Sequence, residues 1–460
     1  MSYETAVAQM YALGHELAQT PLHKFDLAHM RVLLAALGHP ENRFPTVLIA
    51  GTNGKGSTAA TLAAILQASG LKIGLYTSPH LVRINERIRL KGAPIGDEDF
   101  TVLHEVVDRT VERLVSEGDL PWHPSFFEML TAMAFEYFAR NRPDMVVLEV
   151  GMGGRLDATN VVDPRLSIIT DISLDHQKYL GETIAEIARE KVGIIRPNGI
   201  VVTLPQLPEA TDVIGNAIMD ARARAVNAVP YVPPVSPGSS DYLMPSSQQP
   251  ESNSIRMRYP LQVLGREIIV ESPLVGRHQL RNLALAISAA AELHSQGFHQ
   301  VTPETIAQGI RETQWPGRFH VVPAAKDHPE YVLDVAHNPA GAWALRSTLS
   351  SSYPNLGSGR ELTMVFGVMR DKAMQEIAEI LFSIAGNVIV THANNPRSAT
   401  PGEIRQAAAR IAVGINMDEA EDVASALARA RQLAGANGLI VVTGSIYVVG
   451  EAMRMLGVCI

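Results

Sequence analysis

A short glycine-rich segment between an apolar run and a helical pattern contains the first residues whose spacing suggests chemistry. TVLIAGTNGKGSTAATLAAIL spans residues 46–66, and its turn, 51–57, places Lys55 and Ser57 at the start of the expected helix. Backbone N–H groups at a helix start bind anions, and glycines let the backbone approach phosphates closely. Lys55 would contact the β- and γ-phosphates of a nucleotide, and Ser57 would offer its hydroxyl to Mg²⁺. The loop is shorter than G-x-x-x-x-G-K-[ST], because its first glycine comes two residues late.

Two further segments place candidate metal ligands at the ends of apolar runs. DMVVLEVGMGGRLDATN (144–160) has Glu149 ahead of a glycine-rich turn, where a carboxylate would be a second ligand for Mg²⁺. ISLDHQKYLGETIAEIAREKVGIIRP (172–197) contains His176 and Lys191. From the residues alone, other interpretations are open. Glu149 could be a carboxylate that ends a strand by chance, and His176 could be a structural histidine. Lys191 is equally an intrahelical ion-pair partner or a cation at a helix end.

Composition indicates a globular enzyme and disfavours several other classes. The 460 residues are too many for one ordinary domain, and the formal net charge of −8 argues against nucleic acid as the main partner. Cys459 is the single cysteine, so no disulfide framework can form within the chain. The N-terminal sequence lacks the pattern of a signal peptide, and there is no apolar run of about 18 residues. A cytoplasmic enzyme with no membrane partner is expected.

The order of apolar runs predicts an α/β fold. Residues 3–38 read as two helices with a break at Thr20-Pro21, after which short β-rich runs alternate with helical stretches. This alternation is typical of crossover units, so we expect a P-loop-type, mostly parallel sheet flanked by helices, with ligands at the carboxyl ends of its strands. The expected strands lie at 46–51, 72–77, 144–151, 166–170 and 199–203, and in the last third at 330–339, 361–369, 386–393 and 438–446.

A domain boundary is predicted within TQWPGRFHVVP, residues 313–323, because strand and helix patterns restart after it. Residues 1–316 would form the N-terminal ATP-binding domain, and residues 317–460 a smaller Rossmann-like domain. The Pro- and Ser-rich stretch 229–254 reads as an irregular excursion, since prolines at this density exclude a helix interior. An antiparallel hairpin and a helix are predicted to follow it.

GTNGKGS resembles the nucleotide loop of the folylpolyglutamate synthase and dihydrofolate synthase family, relatives of the Mur peptide ligases. Further matching motifs occur in order between residues 46 and 452. The resemblance, which is strongest to the bifunctional bacterial type, implies amide-bond formation driven by ATP. It also implies ATP contacts from the loop and from later motifs. The implied ATP-binding residues are Thr52, Asn53, Gly54, Lys55, Gly56, Ser57, Thr58, Asn282, Arg318 and Asp334, with Gln279 as a neighbour of undefined role.

The same resemblance implies a centre with two Mg²⁺ ions. Glu149 and His176 match metal ligands of the family, and Ser78, within GLYTSPHLVRINERIRL, matches a serine that ligates metal. Lys191 matches a lysine that is carbamylated in related enzymes, which turns a cation into an anionic oxygen ligand, N6-carboxylysine. With Ser57 from the loop, these residues complete the expected metal-binding set.

Substrate contacts are likewise implied by the resemblance. Phe127 and Asp157 match residues near the pterin in bifunctional members, where an aromatic face and a carboxylate suit its flat ring and paired N–H groups. The stretch from His80 to Arg87 would border the folate pocket, and KFDLAHM, residues 24–30, matches an extra dihydropteroate contact more loosely.

The last third of the chain would supply the glutamate side of the site. His337 is expected near the incoming glutamate and Ser445 at its carboxylates, while Arg318 would reach the ATP phosphates. The chain departs from the family at His320, where an acidic or amide residue is common, and in the stretch 229–254, which has no clear counterpart.

The implied reaction converts a substrate carboxylate into an acyl phosphate, which the amine of L-glutamate then attacks. Lys55, Lys191, Arg318 and His337 are the expected catalytic residues, and closure of the two domains on a monomer is expected to complete the site. Two alternatives remain at this point: a Mur-type peptide ligase acting on another carboxylate, and a non-catalytic nucleotide-binding relative or switch.

Overall fold

A computed structural model describes residues 1–14, 27–234, 243–245, 255–326, 328–357, 359–409 and 415–458. The predicted break at Thr20-Pro21, the first half of KFDLAHM, most of the excursion 229–254 and Cys459 lie outside these residues. The chain divides into two compact units. Unit 1 comprises Met1–Val232, Gln262–Ile268 and Arg281–Ile310, and unit 2 comprises Pro233–Leu261, Ile269–Leu280 and Arg311–Ile460. The limits 1–316 and 317–460 stay a prediction.

Helices and strands alternate through the first half of the chain, as the sequence predicts. The strands are β1 Thr46–Ala50, β2 Ile73–Tyr76, β3 Ile88–Leu90, β4 Ala93–Pro94, β5 Met145–Glu149, β6 Leu166–Ile169, β7 Ile200–Thr203 and β8 Arg224–Asn227. The helices are α1 Tyr3–Ala12, α2 Leu27–Ala36, α3 Lys55–Ala68, α4 Asp97–Glu117, α5 Phe126–Asn141, α6 Gln177–Leu180, α7 Ile184–Val192 and α8 Pro208–Asp220.

These eight strands form one sheet in the order β4-β3-β2-β5-β1-β6-β7-β8. The neighbouring strands β2, β5, β1, β6, β7 and β8 all pair in parallel. At one edge of the sheet, β3 pairs antiparallel with both β2 and β4. The strand β1 lies between β5 and β6, with Ile49 opposite Glu149 and Ala50 opposite Ile169. The segments that follow β1, β5 and β6 therefore leave the sheet side by side at its carboxyl edge.

The described residues of the second half of the chain form two further sheets. Its strands are β9 Leu243–Pro245, β10 Ile255–Val263, β11 Arg266–Ser272, β12 His320–Val322, β13 Glu330–Leu333, β14 Leu362–Phe366, β15 Asn387–Val390, β16 Asn416–Glu419 and β17 Leu439–Thr443. Its helices are α9 Arg277–Ser295, α10 Pro303–Glu312, α11 Pro339–Ser352, α12 Met374–Phe382, α13 Pro401–Ala407, α14 Val423–Ala434 and α15 Ile446–Met455. The sheet orders are β11-β10-β9 and β12-β13-β17-β14-β15-β16.

The six-stranded sheet is parallel except for the pair β12–β13. The mixed α/β fold with a mostly parallel first sheet and a second, smaller α/β domain is thus confirmed. Each unit has its own apolar core, because β1 and β5 in unit 1 and β14 and β17 in unit 2 are buried along their whole length. In the part of the chain that the structure describes, no helix has the length and apolar character needed to cross a bilayer.

Candidate active site

The glycine-rich loop forms the turn from β1 into α3, as the sequence predicts. Gly54 caps α3 with a left-handed backbone, at φ 86°. The side chain of Asn282, on α9, lies directly over it, since a Cβ at position 54 would come within 2.1 Å of the Asn282 Oδ1 atom. The left-handed backbone favours glycine there, and a larger residue would also have to displace the Asn282 amide. The predicted adenine ligand Asn282 therefore lies at the loop itself.

Two lysines converge on one carbonyl of this loop. The Lys55 Nζ atom lies 3.2 Å from the Gly51 oxygen, and the Lys191 Nζ atom donates to the same oxygen at 2.8 Å. Burial and, to a smaller extent, the positive charge of Lys55 lower the pKa of Lys191 to about 7, against the opposing effect of Asp175 and Asp157. A buried amine with this pKa is substantially neutral near pH 7 and can act as a nucleophile.

The glycine-rich turn after β5 fixes the end of α7, where Lys191 lies. A Cβ at Gly154 would come within 2.8 Å of the Glu190 carbonyl oxygen and 2.9 Å of the Lys191 carbonyl oxygen. The Arg155 N–H donates to that Glu190 carbonyl at 2.8 Å. At its other end, α7 begins with a capping box formed by Thr183 and Glu186. The helix that carries Lys191 is therefore held at both ends.

The candidate metal ligands occupy neighbouring strand ends. Glu149, which is 5% exposed at the end of β5, accepts a hydrogen bond at 3.2 Å from the backbone N–H of Ser78, just after β2. Ser57 lies in the first turn of α3. His176 precedes α6 with a left-handed backbone, and its N–H donates to the Asp175 carboxylate. Carboxylate and hydroxyl oxygens are the ligands Mg²⁺ prefers, so Glu149 and Ser57 fit the expected ion.

Among the described residues, no group of three or more His, Cys, Asp or Glu side chains is arranged as a metal site. That arrangement is compatible with Mg²⁺, because this ion keeps several waters and takes phosphate oxygens as ligands in nucleotide sites. The protein would then contribute only two or three side chains to each ion.

Phe127 and Asp157, the predicted pterin contacts, meet at one turn. The half-buried Phe127 ring lies against Gly151. Asp157 accepts hydrogen bonds from the Met152 N–H at 3.0 Å and from the Thr159 N–H at 3.0 Å. Burial raises the pKa of Asp157, while these donors act in the opposite direction. Asp157 thus organises the turn, in addition to any contact with a substrate.

His80 and Arg87 form a network with two aromatic residues that sequence reasoning missed. The Arg87 Nε atom donates to His80 Nδ1 at 2.8 Å, and His80 Nε2 lies 3.1 Å from the Tyr11 hydroxyl. Because arginine can only donate, Nδ1 is the acceptor, and a neutral His80 carries its proton on Nε2. The Arg87 guanidinium also lies over the Phe126 ring, 5.2 Å from its centroid. No local sequence signal links Tyr11 to residues 80–87.

Glu86 shapes the loop that connects Ser78 to Arg87. Its carboxylate accepts backbone hydrogen bonds from Leu81 and Val82, both at 2.8 Å, and from Arg83. No sequence pattern around Glu86 indicates this role. The loop conformation therefore depends on a buried carboxylate that need not touch substrate.

In unit 2, three of the predicted residues lie together, Arg318 just before β12 and Asp334 and His337 just after β13. Asp334 accepts from the Phe319 N–H at 2.7 Å and the Ala336 N–H at 2.9 Å. Burial raises the pKa of Asp334, and the nearby positive charge of Arg318 lowers it. The same carboxylate is also within electrostatic reach of His337, whose Nδ1 atom lies 2.9 Å from the Val335 carbonyl. Arg318, Asp334 and His337 thus form one cluster.

Ser445 begins α15 directly after β17, which pairs with β13. Its hydroxyl accepts from the Tyr447 N–H at 3.2 Å, so it caps the helix. The hydroxyl proton remains able to donate to an anion, which is compatible with the predicted contact to glutamate. Each unit thus gathers its own candidate residues, and their roles in binding and catalysis stay predictions.

Two regions of the chain match known domains. Residues 102–290 match the Mur ligase middle domain, and residues 317–446 match the glutamate ligase domain of Mur ligases. The fold and the site together define the class as an ATP-dependent ligase of the Mur type.

Relatives at high coverage define the family more closely. The chain is 34% identical to a dihydrofolate synthase/folylpolyglutamate synthase of Bacillus subtilis, over 94% of this chain and 95% of that protein. It is similar in structure to Mycobacterium tuberculosis folylpolyglutamate synthase complexed with ADP and AMPPCP, with a TM-score of 0.82, 31% identity and 99% of both chains covered. It also resembles Escherichia coli FolC in complex with DHPP and ADP, with a TM-score of 0.78 and 27% identity over 99% and 98% of the chains. The chain belongs to the dihydrofolate synthase/folylpolyglutamate synthase family, which confirms the resemblance seen in the sequence.

Proposed function

We propose that this enzyme joins L-glutamate to dihydropteroate, to the glutamyl tail of a reduced folate, or to both, through an ATP-dependent acyl phosphate. The observation that carries the proposal is the convergence of Lys55 and Lys191 on the Gly51 carbonyl. Glu149 ends the neighbouring strand, where its carboxylate could bind the Mg²⁺ of a nucleoside triphosphate held by the loop. Related enzymes have been solved in complex with ADP and AMPPCP, and with DHPP and ADP, which supports binding of the same ligands here.

The proposed steps follow from the charges that develop. The substrate carboxylate attacks the γ-phosphorus of ATP, ADP leaves, and an acyl phosphate forms. The glutamate amine then adds to the acyl carbon, loses a proton, and phosphate departs as the amide forms. Lys55 and Arg318 would stabilise the negative charge on the phosphates, and His337 and Ser445 would orient the glutamate.

Two Mg²⁺ ions would be held by Ser57, Ser78, Glu149, His176 and a carbamylated Lys191. When bound, they supply neutralisation of the phosphate charge. The neutral Lys191 amine adds to CO₂ and releases one proton, which gives N6-carboxylysine. The low pKa of Lys191 and the adjacent Lys55 cation both favour this anionic product over a second buried cation.

Carbamylation is tested by ¹³C NMR of protein equilibrated with ¹³C-bicarbonate. We expect a carbamate signal in the wild type that Lys191→Ala removes, together with loss of ligation. The matched control is Lys178→Ala, which alters an exposed lysine on α6 and keeps both the signal and the activity. Full activity of Lys191→Ala would refute the carbamate role.

The choice of substrate is tested by a product assay with ATP, Mg²⁺ and L-glutamate against dihydropteroate and tetrahydrofolate in turn. We expect ATP hydrolysis to depend on both a pterin substrate and glutamate. Hydrolysis that needs neither would indicate a nucleotide switch, and ligation only with a peptide precursor would indicate a Mur-type peptide ligase. We further propose that the enzyme acts in the cytoplasm and that it is a monomer. Sedimentation with and without nucleotide would test the monomeric state.

A further inference from the structure

The phosphate loop, residues 51–57, is hydrogen-bonded to the segment that follows β6. The proposed function assigns no role to this contact. The backbone N–H groups of Thr52 and Asn53 both donate to the Asp171 carbonyl, at 2.9 Å and 3.1 Å. The Thr52 hydroxyl donates to the Ser173 carbonyl at 3.0 Å, and the Asn53 amide donates to the Ser173 hydroxyl at 2.9 Å. The position of residues 171–173 therefore sets where the first half of the loop lies.

Arg281 fixes that segment from α9. Its Nε atom lies 2.9 Å and 3.0 Å from the two Asp171 carboxylate oxygens, and its Nη2 atom donates to one of them at 2.6 Å. Nη2 also donates to the Pro205 carbonyl, beyond the end of β7, at 2.9 Å. A planar guanidinium that makes these contacts defines position and angle, which a lysine ammonium cannot do.

The neighbouring contacts point the same way. Gln206 accepts from the Ile172 N–H at 3.0 Å and donates to the Thr170 carbonyl at 3.1 Å, so the segment is supported on its other side. The next residue on α9, Asn282, lies over Gly54. One turn of α9 thus contacts both the loop and the segment that holds it.

The ion pair contributes little to global stability, because both side chains are about one-third exposed and exposed pairs contribute about 0–1 kcal/mol. Its effect should instead concern the loop, where a displacement of a fraction of an ångström misdirects the N–H groups that bind phosphate. We propose that Asp171 and Arg281 are positioning residues that hold the phosphate loop in its nucleotide-binding conformation. This inference rests on the proposed function only in that the loop must bind a nucleotide.

The chain provides a matched control on the same helix. Arg224 binds Glu292 of α9 through both terminal nitrogens, with 3.0 Å between Nη1 and Oε2 and a second, shorter contact between Nη2 and Oε1. This second arginine–carboxylate pair holds the opposite end of α9 and has no described contact with residues 51–58. Loss of Arg224 should lower stability without changing nucleotide affinity.

The test is calorimetric titration of ADP into wild type, Arg281→Met, Arg281→Lys and Arg224→Met, with melting temperatures measured in parallel. We expect the ADP Kd to rise about tenfold in Arg281→Met, less in Arg281→Lys, and not at all in Arg224→Met. Asp171→Asn combined with Arg281→Met should weaken binding no more than Arg281→Met alone, because the two residues act as one unit. In ligation assays, KM for ATP should rise while KM for glutamate stays constant.

Each outcome decides between the claims. Wild-type affinity in Arg281→Met would overturn the positioning role and leave the proposed function intact. Equal weakening in Arg281→Met and Arg224→Met would also overturn it, because it would reveal a general effect of α9 stability. Absence of ADP binding by the wild type would instead refute the nucleotide site itself. If Arg281→Met does not fold, the ADP affinity of Arg281→Lys is compared with that of the wild type in its place, and an unchanged affinity would overturn the positioning role.

Discussion

The ammonium group of Lys191 is buried beside a second lysine. The stability of the protein should therefore depend on pH through the titration of Lys191. The pKa of Lys191 falls from an ordinary value of 10.5 to about 7 on folding. Between these two values the unfolded chain binds more protons than the folded protein. The free energy of unfolding must therefore rise with pH through this window, and the full penalty of burying the cation is present below pH 7.

We expect wild type, in CO₂-free buffer, to gain about 2–3 kcal/mol of stability relative to Lys191→Met between pH 6 and pH 9. The reason is that methionine has no proton to lose. Urea unfolding of both proteins at several pH values measures the difference. The exposed control Lys178→Met should track wild type, and parallel curves for wild type and Lys191→Met would contradict the low pKa.

A second residue-scale prediction concerns the Tyr11 hydroxyl, which bonds His80 at 3.1 Å. Tyr11→Phe should cost about 1 kcal/mol of stability and raise KM for the pterin substrate several-fold, because His80 loses a partner that orients its ring. The control is Tyr259→Phe, which removes a buried hydroxyl that makes no hydrogen bond within the described residues. That variant should be as stable as wild type. Equal effects of the two variants would remove the special role of Tyr11.

At the scale of elements, the helix that begins with Lys55 depends on a close helix–helix contact. A Cβ at Gly309, on α10, would come within 2.3 Å of the Ile65 Cα atom, on α3. A Cβ at Gly215, within α8, would meet no neighbour inside 4 Å among the described residues. The two glycines therefore test helix propensity and helix packing separately.

Gly309→Ala should destabilise the protein by about 1–3 kcal/mol and weaken nucleotide binding, because α3 must move away from α10. Gly215→Ala should stabilise it by about 0.5–1 kcal/mol through helix propensity alone. Chemical unfolding and ADP titration measure both effects. A stabilising Gly309→Ala substitution would show that the contact is not tight.

The buried strands were predictable, whereas edge strands and long-range partners were not. The runs that became β1, β5, β14 and β17 are apolar at all but one position each, which is the pattern of strands covered on both faces. The edge strands β8 (RAVN) and β16 (NMDE) are largely exposed and polar, so they lack any hydrophobic period. Local motifs also indicated the loop, Glu149 and Lys191 as candidate site residues, and their roles stay predictions. Asp171 and Arg281 are separated by 110 residues and match no motif, so only the fold pairs them.

For the whole molecule, nucleotide binding should appear as a gain in global stability. ADP at 100 times its Kd adds about 2.7 kcal/mol to a protein that binds it only when folded. We expect the melting temperature to rise by about 3 °C in a chain of this size. Scanning calorimetry at several ADP concentrations measures the shift, and Lys55→Ala should reduce it. A shift of equal size in Lys55→Ala would place the nucleotide elsewhere.

The contact between Gly154 and the carbonyls at the end of α7 has a consequence for how this protein can change over generations. A single methyl group at that turn would meet the backbone of residues 190 and 191 and displace the lysine that follows from it. We therefore expect every homologous chain that retains the lysine to retain the glycine as well, whereas a chain that has lost the lysine no longer needs the end of this helix at one fixed position.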